Sequence, residues 1–216
     1  MMRTRREVVG CVGAAIAAIP ASSKGEASVA KRPVVCIFGD SIAAGYGLAP
    51  GDALPAQLQA ALYAQYVLAL VRGAGRSGDT TGEALTRLNA SILPETDLCI
   101  IELGGNDFLR GLPPTQMAAN LAAIAMKLKA RHIDTIMLGG HAPAGTPVEY
   151  GREFTAAFGT AAVRAGVLLI PGVLDGVLED PALMQTDRIH PNAAGVRKVV
   201  SRLVPTVIRC LAAAAV

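Results

Sequence analysis

The stretch Cys36-Ile37-Phe38-Gly39-Asp40-Ser41-Ile42-Ala43-Ala44-Gly45-Tyr46-Gly47-Leu48 decides the fold. Val34 to Phe38 is a short apolar run that stops at a glycine, an acid and a serine. It reads as a buried strand ending in a polar turn, before small residues able to begin a helix. That places the Ser41 hydroxyl at the carboxyl end of a strand, the edge at which open parallel sheets bind ligands. Helix amides at that edge favour developing negative charge. Alone, Gly39-Asp40-Ser41 is an ordinary turn with Ser41 as a cap, so its meaning depends on the rest of the chain.

Downstream, Asp52 to Ala64 is predicted as a helix and Val67 to Val71 as a second strand. Gly73-Ala74-Gly75-Arg76-Ser77-Gly78-Asp79-Thr80-Thr81 is a loop by composition. Glu83 to Leu88 is a short helix, and Leu98 to Leu103 a third strand ending in Gly104-Gly105-Asn106-Asp107. Pro113 or Pro114 opens the next helix, which sets Met117, Leu121, Ile124 and Leu128 on one face. Thr135 to Leu138 is a fourth strand, Gly139 to Val148 a long loop, Glu149 to Val163 a helix and Val167 to Ile170 a fifth strand. A last helix runs from Asn192 or Ala193 to Arg209, with Val196, Val199, Val200, Leu203, Val207 and Ile208 near one stripe. Alternation of this kind predicts an α/β domain over residues 31–216, its mainly parallel sheet covered on both faces. Right-handed crossovers then gather the loops after the strands at one edge, where Ser41, the Ser77–Thr80 loop and Asn106 converge.

Composition sets the limits. The chain has 216 residues, 52% of them hydrophobic, with 23 glycines and no tryptophan, so aliphatic and small side chains fill its core. The net charge of +3 is modest, and much of the basic character sits at Arg3, Arg5, Arg6, Lys24, Lys31 and Arg32. With no aromatic platform interleaved among those charges, nucleic acid is not an expected partner. The first 30 residues stand apart: arginines precede the apolar run Val8 to Ile19, which is too short to span a membrane. This is the pattern of a cleaved export signal, and Thr4-Arg5-Arg6-Glu7-Val8-Val9 is a loose paired-arginine version of it. A disordered cytoplasmic leader is the alternative. Expected localisation is therefore periplasmic or secreted, without stable membrane insertion after processing. Of the four cysteines, Cys11 lies in this leader, and Cys36, Cys99 and Cys210 lie in apolar segments as small hydrophobes; none has metal or redox spacing.

Near the carboxyl end stands Thr186-Asp187-Arg188-Ile189-His190-Pro191-Asn192. Asp187 and His190 are three apart, so one turn can bring them to the same side. A histidine held on one ring nitrogen by an aspartate can take a serine proton on the other. Ser41 supplies the nucleophile, His190 the general base and then acid, and Asp187 the orienting carboxylate; read alone, the pair is simply a helix cap. Donors for an oxyanion are the backbone amides of Ser41 and Gly78 and the side-chain amide of Asn106. Asp40 shapes the turn through hydrogen bonds. The histidines at 132, 141 and 190 are scattered, and His141 reads as an exposed loop residue.

In this order the blocks resemble those of the SGNH (GDSL-type) hydrolases, above all the bacterial thioesterase I, lysophospholipase L1 and arylesterase type. Gly39-Asp40-Ser41 with Ala44-Gly45-Tyr46-Gly47-Leu48 is similar to the first block, and Ser77-Gly78-Asp79-Thr80 to the second. Glu102 through Asp107 with Leu109-Arg110-Gly111 is similar to the third, and Asp187 to Asn192 to the last. Tyr150-Gly151-Arg152 and Met184-Gln185 extend the likeness, which spans roughly residues 34 to 207. The resemblance implies a three-layer, flavodoxin-like sandwich with a five-stranded parallel sheet in the order 2-1-3-4-5. It implies catalytic Ser41, Asp187 and His190, an oxyanion hole of Ser41, Gly78 and Asn106, and no cofactor or metal. The implied reaction is hydrolysis of short- to medium-chain aryl esters, acyl thioesters or lysophospholipids through an acyl-Ser41 intermediate. An envelope glycan deacetylase and a non-catalytic binding protein are the alternatives. Gly73 stands where relatives commonly have asparagine, and Arg188 where they often have glycine; with Arg76 these alter the mouth of the site. The scarcity of aromatic residues fits a monomer or a small homo-oligomer with an aliphatic interface.

Overall fold

The structure is a computed structural model that describes residues 31–214. The leader expected over residues 1–30, with Cys11 and its paired arginines, lies outside the described residues. Strands β1 (Val34–Gly39), β2 (Leu70–Gly75), β3 (Leu98–Glu102), β4 (Asp134–Leu138) and β5 (Leu168–Ile170) form one sheet. Its order is β2-β1-β3-β4-β5, and all four pairings are parallel. Helices α1 (Ser41–Ala44), α2 (Leu54–Ala64), α3 (Thr81–Ser91), α4 (Gly105–Leu109), α5 (Pro114–Lys129), α6 (Val148–Ala165) and α7 (Ala193–Ala213) fill the connections.

Strand alternation divides the core into two layers. Cys36, Phe38, Cys99, Ile101 and Met137 pack with buried residues of α3, α5 and α6. Val35, Ile37, Leu98, Ile100, Ile136 and Leu138 face the other way, onto Leu54, Leu58 and Leu62 of α2 and the valine stripe of α7. With both faces covered, β1 and β3 read as continuous apolar runs. Helix starts follow local chemistry. Thr80 and Glu83 form a capping box at α3, and the Asn192 side chain accepts from the amides of Ala194 and Gly195 at α7. Gly166, at φ +65°, closes α6 in the left-handed conformation.

Several boundaries differ from expectation. The second strand lies at Leu70–Gly75, not Val67–Val71. Tyr66 takes φ +59° and Val67 donates to Leu62 O, so the chain is still turning out of α2 where a strand was expected. Gly73 and Gly75, which read as loop, belong to that strand because α1 and α2 press on it. A Cβ on Gly75 would lie 2.2 Å from Ala44 N, and one on Gly73 2.9 Å from a Pro55 ring carbon. The segment from Asp52 splits into a 3₁₀ turn at Pro50–Asp52 and α2 beginning at Leu54. Gly105–Leu109, read as a turn, is a short helix, and α3 runs from Thr81 to Ser91 rather than only Glu83 to Leu88.

Close approach at Gly75 makes a direct test. Gly75→Ala is expected to destabilise the fold by about 1–3 kcal/mol, seen as a lower urea midpoint. An unchanged midpoint would show that α1 is free to move off the strand.

Candidate active site

The carboxyl ends of β1 and β3 and the loop before α7 build the site. Asp40 caps α1: its Oδ1 accepts from Ile42 N at 3.3 Å, and Ser41 follows as the first residue of the helix. Gly45, at φ +75°, ends α1 after one turn. Ser41 Oγ lies 2.9 Å from His190 Nε2, and His190 Nδ1 lies 2.6 Å from Asp187 Oδ2. Asp187 Oδ1 accepts from the amides of Ile189 at 3.0 Å and His190 at 3.1 Å. The His190 hydrogen bond, followed by those two amides, holds the Asp187 carboxyl down at about 2. Anionic Asp187 accepts a hydrogen bond from the Nδ1–H, so the Nε2 lone pair faces the Ser41 hydroxyl. The His190 side chain is only 16% exposed, and the Tyr46 ring covers it at 4.6 Å between centroids.

The turn that carries Asp187 and His190 is strapped to the strand side. Gln185 N donates to His190 O, and Gln185 Nε2 donates to Tyr46 O at 2.8 Å and Pro191 O at 3.0 Å. Arg188 sits in the left-handed region at φ +57°, which glycine adopts at no steric cost and an arginine does not. This is the physical reason that a glycine suits this position between the aspartate and the histidine.

Asn106 lies in the first turn of α4, and its Nδ2 donates to Asp40 Oδ2 at 3.1 Å, beside the Ser41 turn. One amide hydrogen is thus used as an anchor and the other is left to donate. Gly78 has φ +86° and is tied to the end of α4, because Arg110 Nη2 donates to Gly78 O at 2.6 Å. Arg110 Nη1 also reaches Glu83 Oε1 at 3.4 Å. Buried Asp107 locks α4 to α3, accepting from Thr81 N at 2.8 Å and Thr81 Oγ1 at 2.6 Å. Asp79, also buried, is paired with Arg87. Burial raises the Asp40 carboxyl, and its contacts with Ile42 N, Asn106 and Ser41 Oγ are those of a turn-shaping acceptor.

Hydrogen bonds therefore link Ser41, His190 and Asp187 in one series and join Asn106 to it through Asp40. Gly78 joins through Arg110 and α4. His141 stands elsewhere, half exposed and 2.8 Å from Asp175, while His132 occupies a left-handed turn before β4. The residues alone gave no role to Tyr46, Gln185 or Asp107. The i, i+1 adjacency of Asp107 to Asn106 was the available signal for the last. Among the described residues no group of three or more His, Cys, Asp or Glu is placed to hold a metal ion.

Fold and site define a class: an α/β protein with a serine–histidine–aspartate hydrogen-bond series at the carboxyl edge of a parallel sheet. Residues 37–198 match the GDSL-like Lipase/Acylhydrolase family, and the chain belongs to that family. It is 35% identical over 178 residues to Esterase TesA of Pseudomonas aeruginosa, covering 82% of this chain and 89% of that protein. It is 34% identical over 164 residues to the Thioesterase 1/protease 1/lysophospholipase L1 of Escherichia coli, covering 76% of this chain and 77% of the other. A crystal structure of TesA superposes with a TM-score of 0.78 at 35% identity, over 82% of this chain and 99% of that one. The protein is a serine esterase of this family and takes a small-molecule ester as substrate.

Asp107 offers a test of how α4 is held. Asp107→Ala leaves the buried amide and hydroxyl of Thr81 short of an acceptor, at an expected cost of about 1–3 kcal/mol. The measurement is the thermal or urea midpoint; no loss would mean that Thr81 finds another acceptor.

Proposed function

We propose that Ser41 is the nucleophile of this esterase, His190 its general base and then acid, and Asp187 the carboxylate that fixes the imidazole. The observation that carries this reading is the continuous series from Asp187 Oδ2 to His190 to Ser41 Oγ, at 2.6 and 2.9 Å. Ser41 Oγ attacks the acyl carbon as its proton passes to His190 Nε2, and the new imidazolium is stabilised by anionic Asp187. The backbone amides of Ser41 and Gly78 and the free hydrogen of Asn106 Nδ2 receive the charge that forms on the carbonyl oxygen. Collapse releases the alcohol or thiol, which takes the proton from His190 and leaves acyl-Ser41. Water then repeats the sequence and frees the acid.

Substrates of this site are short- to medium-chain carboxylic esters, with aryl, thioester or lysophospholipid leaving groups. The name of the Escherichia coli relative, thioesterase and lysophospholipase, supports that range. Residues 1–30 carry the composition of a cleaved signal, which puts the mature enzyme in the periplasm or outside the cell. Among the described residues no helix is long and apolar enough to cross a membrane.

Turnover of p-nitrophenyl acetate, butyrate and octanoate tests the roles. Ser41→Ala is expected to abolish hydrolysis, and Asp187→Asn to lower kcat about 10⁴-fold. Asn106→Ala is expected to lower kcat about 10²–10³-fold. Equal rates for wild type and Ser41→Ala would remove Ser41 as nucleophile. Because Asp187 is held at about 2, it stays anionic well into acid. Activity lost on mild acidification therefore does not arise from protonating Asp187, and it should be recovered fully on return to neutral pH.

A further inference from the structure

Glu102 ends β3 directly beside the nucleophile turn, as the register partner of Gly39. Its backbone carbonyl accepts from Asp40 N at 3.2 Å, and its side-chain Oε2 accepts from Ala43 N at 3.1 Å. One residue thus grips the chain on both sides of Ser41. Gly39 makes room for it: a Cβ there would lie 2.4 Å from Glu102 O and 2.7 Å from Glu102 Oε2. The neighbouring Asp40 carboxyl acts to raise that of Glu102. Asp40 in turn holds Ile42 N, Ser41 Oγ and Asn106 Nδ2.

Two neighbouring carboxyl groups disfavour each other's charge, and with no cation between them one of the pair keeps its proton to higher pH. The cations nearby are already engaged. Arg87, from α3, spans Asp79, Ala74 O and Gly39 O, and Arg76, after β2, directs its guanidinium to Asp79. His190 faces Ser41 rather than either acid. Among the described residues neither Asp40 nor Glu102 has an ion-pair partner; they face neutral groups, among them the amides of Ile42 and Ala43, the Ser41 hydroxyl and the Asn106 amide.

We propose that Glu102 is a positioning residue: sharing one proton with Asp40, it clamps α1 so that the Ser41 hydroxyl and the Asn106 amide stay aimed at the same carbonyl. Burial, with the Asp40 charge second, holds the Glu102 carboxyl well above the usual carboxylate range. A carboxyl raised in the folded state keeps its proton to higher pH than a free one, and the clamp is lost as pH rises through the raised value. Loss then acts on kcat by misaiming the nucleophile, while binding is left nearly intact. The proposal rests on Ser41 being the nucleophile.

The test uses the full-length enzyme with Glu102→Gln and Glu102→Ala. Glutamine keeps a donor for Asp40 and an acceptor for Ala43 N, so its kcat on p-nitrophenyl butyrate should stay within about 5-fold of wild type at neutral pH. Its activity should also persist in alkali where the wild type declines. Glu102→Ala should lose about 100-fold in kcat with KM little changed. Infrared spectra taken on the acid side of the wild-type alkaline decline should show a protonated-carboxyl band that is missing from Glu102→Gln. If Glu102→Ala does not fold, the glutamine pH profile and the infrared band decide. An alkaline decline identical in wild type and Glu102→Gln, or an infrared band that survives in Glu102→Gln, would overturn the shared proton. Labelling by a fluorophosphonate separates the two levels. Wild type unlabelled at Ser41 sinks the nucleophile assignment itself, whereas Glu102→Ala labelled as fast as wild type sinks only the clamp.

Discussion

The hydrogen bond between Ser41 Oγ and His190 Nε2 joins residues 149 positions apart, and the rest of the fold is arranged to hold it at 2.9 Å. Ser41 is fixed by β1, which is flanked by β2 and β3 and buried along its whole length. His190 is fixed by the loop before α7, whose apolar stripe packs on the same layer as α2. Ordering so long a loop is entropically costly, and only burial on both sides of the sheet offsets it. The contact is thus the summed product of two cores rather than of the short turn in which Ser41 lies.

Around it the polar groups are sorted by the charge they can bear. Asp187 is partly exposed, accepts three hydrogen bonds and is anionic. Asp40 and Glu102 lie deeper, with amide and hydroxyl partners and no cation assigned to them among the described residues, so their carboxyls are pushed upward. In the proposed mechanism aspartates of the same type thereby serve different ends: Asp187 supports an imidazolium, and Asp40 fixes geometry. The basic side chains are largely occupied in holding loops. Arg87 ties Asp79 to the β1 end, and Arg110 ties Gly78 to α4. In the proposed mechanism electrostatic support for an oxyanion is left to neutral donors.

Much of this was legible in the residues. The strand before Ser41, the alternation of elements and the sheet order implied by family resemblance all match the observed topology. What escaped was information carried by close contact. Gly73 and Gly75 read as loop because glycine usually marks one, yet they are strand residues kept small by α1 and α2. Gly104-Gly105-Asn106-Asp107 read as a turn because its helix is one turn long and is held by Asp107 reaching Thr81, far away in sequence. Glu102 drew attention only as part of a motif, since an acid at the end of an apolar strand has the pattern of a solvent-facing residue. Its meaning appears only when β1 is laid beside β3.

The central claim is that an acyl group rests on Ser41 between two half-reactions. Mixing the enzyme with p-nitrophenyl butyrate, quenching in acid within one turnover and mapping peptides by mass spectrometry tests it directly. A butyryl group is expected on the peptide containing Ser41, at that residue, appearing in step with a burst of p-nitrophenol. A butyryl group on another side chain, or steady turnover with Ser41 never modified, would contradict it.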